Sequence, residues 1–364
     1  MREEDDMLEA FKTRRLEIEA YLEELFTIKK AEFGKINKLG EDVCDRLRRF
    51  ATEGKMIRGL LVSLGYALFN GDEEGQSVRR SLIETGAAME LFQSALLIHD
   101  DIMDRDQKRR GLESIYHQYS RLPELKDSED AYHFGESLGI CAGDVSFFLG
   151  FEILSKLDVR SDIYRSILSL ASKEIGYVGV AQMQDVINGA NRLPVSEDEI
   201  LKLYMYKTGR YTFSLPLMVG GLLADVSQET VETLGRLGES LGIIFQLKDD
   251  ELGIYGKPDV IGKPPGSDIR EGKKTLFYGY LRKLASAEQN QQMDGIFGNR
   301  DIGAEEITFV QKLAEKLGVR ELVDSKIGEH ADKTRALIEA LQGSVGKYRD
   351  SLEHVLEYSL ARAS

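Results

Sequence analysis

The stretch SLIETGAAMELFQSALLIHDDIMD, from Ser81 to Asp104, decides how the chain folds. Its apolar residues recur at three- and four-residue steps and continue round more than one side, which predicts a central helix buried on all its faces. The helix closes on the carboxylates of Asp100, Asp101 and Asp104, in the segment LLIHDDIMD. Positions four apart on a helix lie one above the other, so Asp100 and Asp104 present two hard oxygen ligands on one face. An apolar run that carries unpaired charge inward is too costly to be accidental.

A second stretch has the same form. FQLKDDELG, from Phe245 to Gly253, sets Asp249 and Asp250 at the end of another segment that is apolar on several sides, Leu234 to Asp250. Either cluster alone would be read as a solvated helix face. Together, each followed by basic residues, they describe a site that grips a diphosphate through divalent ions. Mg²⁺ suits such a site because it prefers carboxylate and phosphate oxygens and usually binds through one or two carboxylates plus substrate phosphate. Two central helices ending in carboxylates would face each other across a cavity with an acidic mouth and apolar depths, the shape required by a diphosphate head on a hydrocarbon tail.

The remaining chain is also helical in pattern. Helical periodicity covers Leu8 to Ile28, Ile57 to Phe69, Phe134 to Leu157, Ile163 to Asn188, Ser196 to Leu223, Thr230 to Leu252 and Phe309 to Leu341. Breaks are expected at Asn70-Gly71-Asp72, at Gly189 to Pro194, and in the polar loop from Gly253 to Lys274. With six prolines, no long alternating run and no linker, the 364 residues read as a single all-α domain, 1–364, with charged peripheral helices near 1–30 and 305–364. A net charge of −14 argues against a nucleic-acid surface, and any cations that hold an anionic ligand must be concentrated locally. Cys44 and Cys141 have no ligand spacing and read as core thiols. No apolar run in the sequence approaches the ~20 residues that span a bilayer, and the acidic start lacks the apolar stretch of a signal peptide, so the cytoplasm is the expected location.

Five motifs in order carry a family resemblance over about Gly54 to Lys274: GKMIRG, DDIMDRDQKRRG, YKTGRYT, FQLKDDELG and GKPPGSDIREGK. In these the chain resembles the trans-isoprenyl diphosphate synthases, the polyprenyl synthetase family that includes farnesyl and geranylgeranyl diphosphate synthases. The resemblance implies an all-α isoprenoid synthase bundle around a deep apolar cavity, a homodimer, and two substrates, an allylic diphosphate and isopentenyl diphosphate. It implies three Mg²⁺ ions, with Mn²⁺ as a substitute, held by Asp100, Asp104 and Asp249, with Asp101 and Asp250 beside them. Arg109, Lys207 and Lys263 would contact the allylic diphosphate with Gln246 nearby, Lys273 would be a further substrate-binding residue, and Lys55, Arg58, Gln93 and Arg110 would hold isopentenyl diphosphate. Thr208 and Gln182 would stabilise an allylic cation, and Asp185 would orient Lys207. Arginine's planar fork and lysine's compact charge suit these phosphate roles.

The chain departs from the family pattern in three places. Gly253 stands where many relatives have a third aspartate, Gly59 replaces the usual proline, and Ala181 replaces a glycine. The histidines show no zinc spacing, with His99 read as a packing residue, and Tyr204, Tyr206 and Tyr211 read as core or interface. Alternatives to chain elongation are a terpene cyclase, which needs no second diphosphate site, and a non-catalytic subunit of a heteromeric synthase, which would have lost one aspartate motif. Product length follows from the residues before Asp100. Positions Ala95 and Leu96 are those where farnesyl diphosphate synthases typically carry aromatic residues, so small Ala95 leaves the tunnel open and Phe92, one turn deeper, becomes its floor. This predicts geranylgeranyl diphosphate, with farnesyl or longer products as the alternatives.

Overall fold

The computed structural model describes residues 2–109, 111–126, 128–190, 194–256 and 266–361, with side chains described from residue 11 onward. Within them the chain forms two compact units: Met1–Ser172 with Pro216–Val231 and Val345–Tyr348, and Lys173–Leu215 with Glu232–Ser344 and Arg349–Ser364.

The first unit is built around helix α4 (Gln76–Asp104), the stretch that opened the sequence reading. Its residues from Thr85 to Ala95 are buried without interruption, as expected of a helix apolar on all sides. Packed on it are α1 (Arg2–Phe33), α2 (Lys38–Thr52), α3 (Ile57–Asn70), α5 (Ile115–Ser120) and α6 (Ala131–Ser155). Although α1 is highly charged, it inserts Ile18, Leu22 and Phe26, four residues apart and fully buried. Asn37 caps α2, its side chain accepting from Gly40 N–H at 3.0 Å. The predicted break after α3 falls at Gly71, whose φ of +63° is reached readily only by glycine.

Helix α6 is long and apolar enough to cross a membrane by length and composition, contrary to the expectation that no such run exists. Here it lies along α4, and its glycines permit the contact: a Cβ on Gly150 would stand 2.7 Å from the Phe92 ring, and one on Gly143 would overlap the His99 ring. Cys141, on the same helix, is exposed and not a core thiol, while Cys44 is buried.

The second unit is organised by α10 (Gln228–Tyr255) and a continuous helical stretch. That stretch consists of α8 (Glu197–Tyr204), a π-helical segment (Met205–Ser214) and α9 (Leu215–Leu223), the last lying almost wholly in the first unit. Ser196 and Glu199 form a reciprocal capping box that fixes the start of α8. Among the described residues five further helices follow, α11 (Ser267–Glu271), α12 (Leu276–Leu284), α13 (Ala287–Asp294), α14 (Ala304–Lys316) and α15 (Val319–Glu339), before α16 (Gly346–Leu360). The pattern read as one helix from Phe309 to Leu341 is therefore two, interrupted at Gly318 with φ +67°.

Candidate active site

In the first unit the DDIMD motif ends α4. The aligned peptide dipoles leave partial negative charge at a helix C-terminus, so a cation is favoured there even before the carboxylates are counted. Asp100 and Asp104, one turn apart, are half-buried, whereas Asp101 is wholly buried. A two-residue antiparallel ribbon, Lys108–Arg109 with Leu112–Glu113, folds back after the helix, with Gly111 in the turn at φ +81°. The ribbon is too short to leave an alternating pattern, and the sequence reading has no counterpart for it. It delivers Arg109 to the motif: Nε donates to Asp101 Oδ1 at 2.6 Å, and Nη2 lies 3.4 Å from Asp100 and 3.6 Å from Asp106. Burial pushes the Asp101 carboxyl up to about 7, against the pull of Arg109. Burial also works against the Arg109 charge, yet Asp101 and Asp100 hold it above the usual arginine range. The other Asp101 oxygen, Oδ2, is buried without a hydrogen-bond partner.

GKMIRG enters α3 through Met56, a buried residue held in the left-handed region at φ +53°. Such a conformation is uncommon for a residue with a side chain and often marks a functional turn. Lys55 is exposed, Arg58 half-buried and Gln93 buried. The substitution at Gly59 has a local reason: its N–H donates to the buried Glu90 carboxylate at 2.9 Å, a bond that proline could not make. Ala95 and Phe92 are fully buried and Leu96 partly so. The Phe92 ring meets Phe151 of α6 with centroids 4.8 Å apart, and Phe147 at 6.4 Å.

In the second unit, α10 presents Gly238, Gly242, Gln246 and Asp250 at four-residue intervals, one stripe along the helix. The opposing stretch runs against that stripe. A Cβ on Gly238 would overlap Ser214, and one on Gly242 would overlap Gly209, so the backbones come together as only glycines allow. Further along, Thr208 Oγ1 donates to Gln246 Oε1 at 2.9 Å, Gln246 Nε2 donates to Asp250 Oδ1 at 2.9 Å, and the Tyr204 hydroxyl donates to Asp250 Oδ2. Burial raises the Asp250 carboxyl well above the usual carboxylate range, with Asp268 adding to it and the bonds from Tyr204 and Gln246 opposing. Burial and the adjacent Asp250 likewise raise Tyr204.

The π-helical segment carries Lys207 and Thr208. Helices that close their hydrogen bonds five residues back are rare and occur disproportionately at functional sites. Lys207 Nζ donates to Asp185 on α7 (Ser161–Ala190), and Gln182 lies one turn before Asp185, half-buried. Asp249 is exposed, in contrast to its neighbour Asp250. Lys273 pairs with Glu271 at 2.8 Å. A Cβ on Gly253 would overlap the carboxylate of Asp268, so an acidic group from α11 already occupies the space next to that backbone. Arg110 and Lys263 lie outside the described residues.

Among the described residues no group of three or more His, Cys, Asp or Glu side chains forms a closed metal cage. The donors present are carboxylates at helix ends, a hard oxygen set that fits Mg²⁺, which commonly completes its shell with water and phosphate. In the first unit the carboxylates able to hold such an ion are Asp100 and Asp104, and in the second unit Asp249. Sequence reasoning did not find the partners of the inner aspartates. The resemblance points Arg109 at substrate, the spacing of Tyr204 points to core or interface, and neither signals a tie to an aspartate.

Comparison with known proteins agrees with these motifs. The chain is 32% identical over 254 residues to the short chain isoprenyl diphosphate synthase of Methanocaldococcus jannaschii, covering 70% of each. It is 30% identical over 269 residues to the geranylgeranyl diphosphate synthase of Saccharolobus solfataricus, covering 73% of this chain and 74% of that one. Its fold superposes with a TM-score of 0.87 on the crystal structure of geranylgeranyl pyrophosphate synthase from Corynebacterium glutamicum complexed with isoprenyl diphosphate and magnesium, at 26% identity and over 96% of this chain and 98% of that one. The family model for polyprenyl synthetase matches residues 42–314, three quarters of the sequence, and the chain belongs to the polyprenyl synthetase family.

Proposed function

We propose that the protein condenses isopentenyl diphosphate with an allylic diphosphate, with geranylgeranyl diphosphate as the main product. The observation that carries this reading is common to both units. In each aspartate motif the inner carboxylate is buried and tied to protein, Asp101 to Arg109 and Asp250 to Tyr204 and Gln246, while the outer carboxylates are more accessible, Asp100 half-buried with Arg109 at 3.4 Å and Asp249 exposed. Locked inner residues give the outer ones fixed positions, as an ion-and-phosphate site requires.

Asp100 and Asp104 of the first unit and Asp249 of the second would hold three Mg²⁺ ions. Bound there, the ions supply positive charge that turns an allylic diphosphate into a good leaving group. Lys207, oriented by Asp185, would place its ammonium against that diphosphate, with Lys263 and Lys273 adding charge. Thr208 and Gln182 would turn oxygen atoms toward the allylic carbon as its C–O bond breaks and cationic character develops. Lys55, Arg58, Gln93 and Arg110 would fix isopentenyl diphosphate by its phosphates. The electron pair of its double bond forms the new C–C bond, and a proton leaves to the departed pyrophosphate, so no histidine base is required. The buried Ala95 above the Phe92–Phe151 ring pair supports a twenty-carbon limit.

A homodimer belongs to the same reading. Phe148 on α6 is 72% exposed, and Val180 and Met183 on α7 are 67% and 69% exposed. Apolar helix faces of this kind are normally covered by a partner, and a second copy of the chain is the occupant proposed. The test is incubation of the purified protein with Mg²⁺, isopentenyl diphosphate and geranyl or farnesyl diphosphate, followed by chromatography of the dephosphorylated alcohols. A linear twenty-carbon alcohol is expected; a cyclic hydrocarbon, or no turnover with any primer, overturns the proposal.

A further inference from the structure

Tyr204 is the last residue of α8, immediately before the π-helical segment that carries Lys207 and Thr208. Its phenol is buried and makes two directional bonds. The oxygen accepts the backbone N–H of Leu276 at 2.9 Å, and the hydroxyl proton goes to Asp250 Oδ2. Leu276 is the first residue of α12, whose opening N–H groups have no partner within the helix. Thr275 caps the Tyr278 N–H at 3.3 Å, and Tyr204 takes the Leu276 N–H. Asp250 in turn holds Gln246, and Gln246 accepts from Thr208. One hydroxyl therefore joins three motif-bearing segments of the second unit: the YKTGRYT stretch, the DDELG helix, and the GKKTL turn in which Lys273 lies three residues before Leu276.

We propose that Tyr204 is a positioning residue, setting the register of Lys207, Thr208, Asp249 and Lys273 for binding metal and diphosphate. The inference rests on the prenyltransfer reading. The π-helical segment is pinned at both ends, by Tyr204 on Asp250 at its start and by the Gly209–Gly242 and Ser214–Gly238 contacts beyond. The first of these pins is polar and directional, and so are the Ser214 Oγ bond to the Gly235 carbonyl at 2.7 Å and the paired bonds of Arg210 to Glu174 at 2.7 Å. Phenylalanine would fill the same space yet leave the Leu276 N–H and one Asp250 oxygen without that partner. Leaving a buried polar group without its partner corresponds to about a five- to hundredfold change in an equilibrium.

The test is Tyr204→Phe in the full chain. The expected result is a fall of about tenfold or more in kcat/KM for the allylic substrate and a several-fold rise in the Mg²⁺ concentration for half-maximal rate, while KM for isopentenyl diphosphate stays within about twofold. Calorimetry with Mg²⁺ and inorganic pyrophosphate should show the same weakening without any turnover. Equal losses in all kinetic parameters together with a lowered melting temperature would mean a merely structural role and overturn the inference, as would values unchanged throughout. If the unaltered protein turns over no prenyl substrate, the functional reading fails by itself, and the pyrophosphate calorimetry alone decides the role of Tyr204.

Discussion

Gly59 gives its backbone N–H to the carboxylate of Glu90 across 2.9 Å of protein interior. Position 59 lies in the first turn of α3, where proline is tolerated because the N–H has no helical partner. Here that N–H has a tertiary partner, and a Cβ would stand 2.8 Å from Ile18 Cδ1. Gly59→Pro should therefore lower stability by about 1–3 kcal/mol, read as a drop in melting temperature. An unchanged or raised melting temperature would show that the bond contributes little.

The outer aspartates should dominate catalysis. Asp100→Ala and Asp249→Ala are each expected to reduce turnover by at least about 10²-fold, equivalent to ~2.7 kcal/mol in the barrier. The affinity for isopentenyl diphosphate should change much less. Near wild-type turnover by Asp249→Ala at saturating Mg²⁺ would remove the third ion from the scheme.

The two substrates can be separated by basic residues of different units. Arg58→Ala should raise KM for isopentenyl diphosphate and leave the allylic KM nearly unchanged, and Lys207→Ala should do the reverse. Arg109 is a poorer probe, because its removal strands the buried Asp101 carboxylate, a change of about 3–5 kcal/mol in stability. Equal effects of Arg58→Ala and Lys207→Ala on both substrates would refute the division.

Product length should respond to the α4–α6 contact. Ala95→Phe is expected to shift product from twenty toward fifteen carbons. Phe92→Ala alone should give only partial lengthening because the Phe151 ring, its centroid 4.8 Å away, is left in place, and the double change Phe92→Ala with Phe151→Ala should extend chains further. Chromatography of the alcohols decides this: full lengthening by Phe92→Ala alone would show that Phe151 forms no part of the floor.

Restoring the third aspartate should not help. Gly253→Asp would force a side chain against the Asp268 carboxylate and set two negative charges together. A lower melting temperature without tighter Mg²⁺ binding is expected. Tighter binding, measured calorimetrically, would mean that Asp268 moves aside readily.

How legible the protein was depended on what each feature leaves in a sequence. The helix from Ser81 to Asp104 is legible because burial on every face leaves an apolar run, and its terminal aspartates stand out because charge at the end of such a run is rare. The short ribbon bearing Arg109 left no periodicity to read. Tyr204 looked like packing because a buried phenol and a bridging one have the same spacing, and only the hydrogen bonds to Leu276 and Asp250 tell them apart. Residues such as Lys29, paired with Glu152 at 2.9 Å from 123 positions away, are invisible until the chain has folded.

The π-helical turn bearing Lys207 and Thr208 has an implication for which sequence changes the lineage can accept. Closing hydrogen bonds five residues back puts one more residue in each hydrogen-bonded loop than an α-helix has. Deleting any single residue between Met205 and Ser214 would let the stretch relax into ordinary α-helix, a conformation the backbone prefers. Residues inside the segment would shift by one place against their partners, carrying Lys207 or Gly209 out of register with Asp185 or Gly242. The edit most favourable to the local helix is thus one that selection on activity must remove, and the length of this segment should be far less free to vary than that of the surface loops.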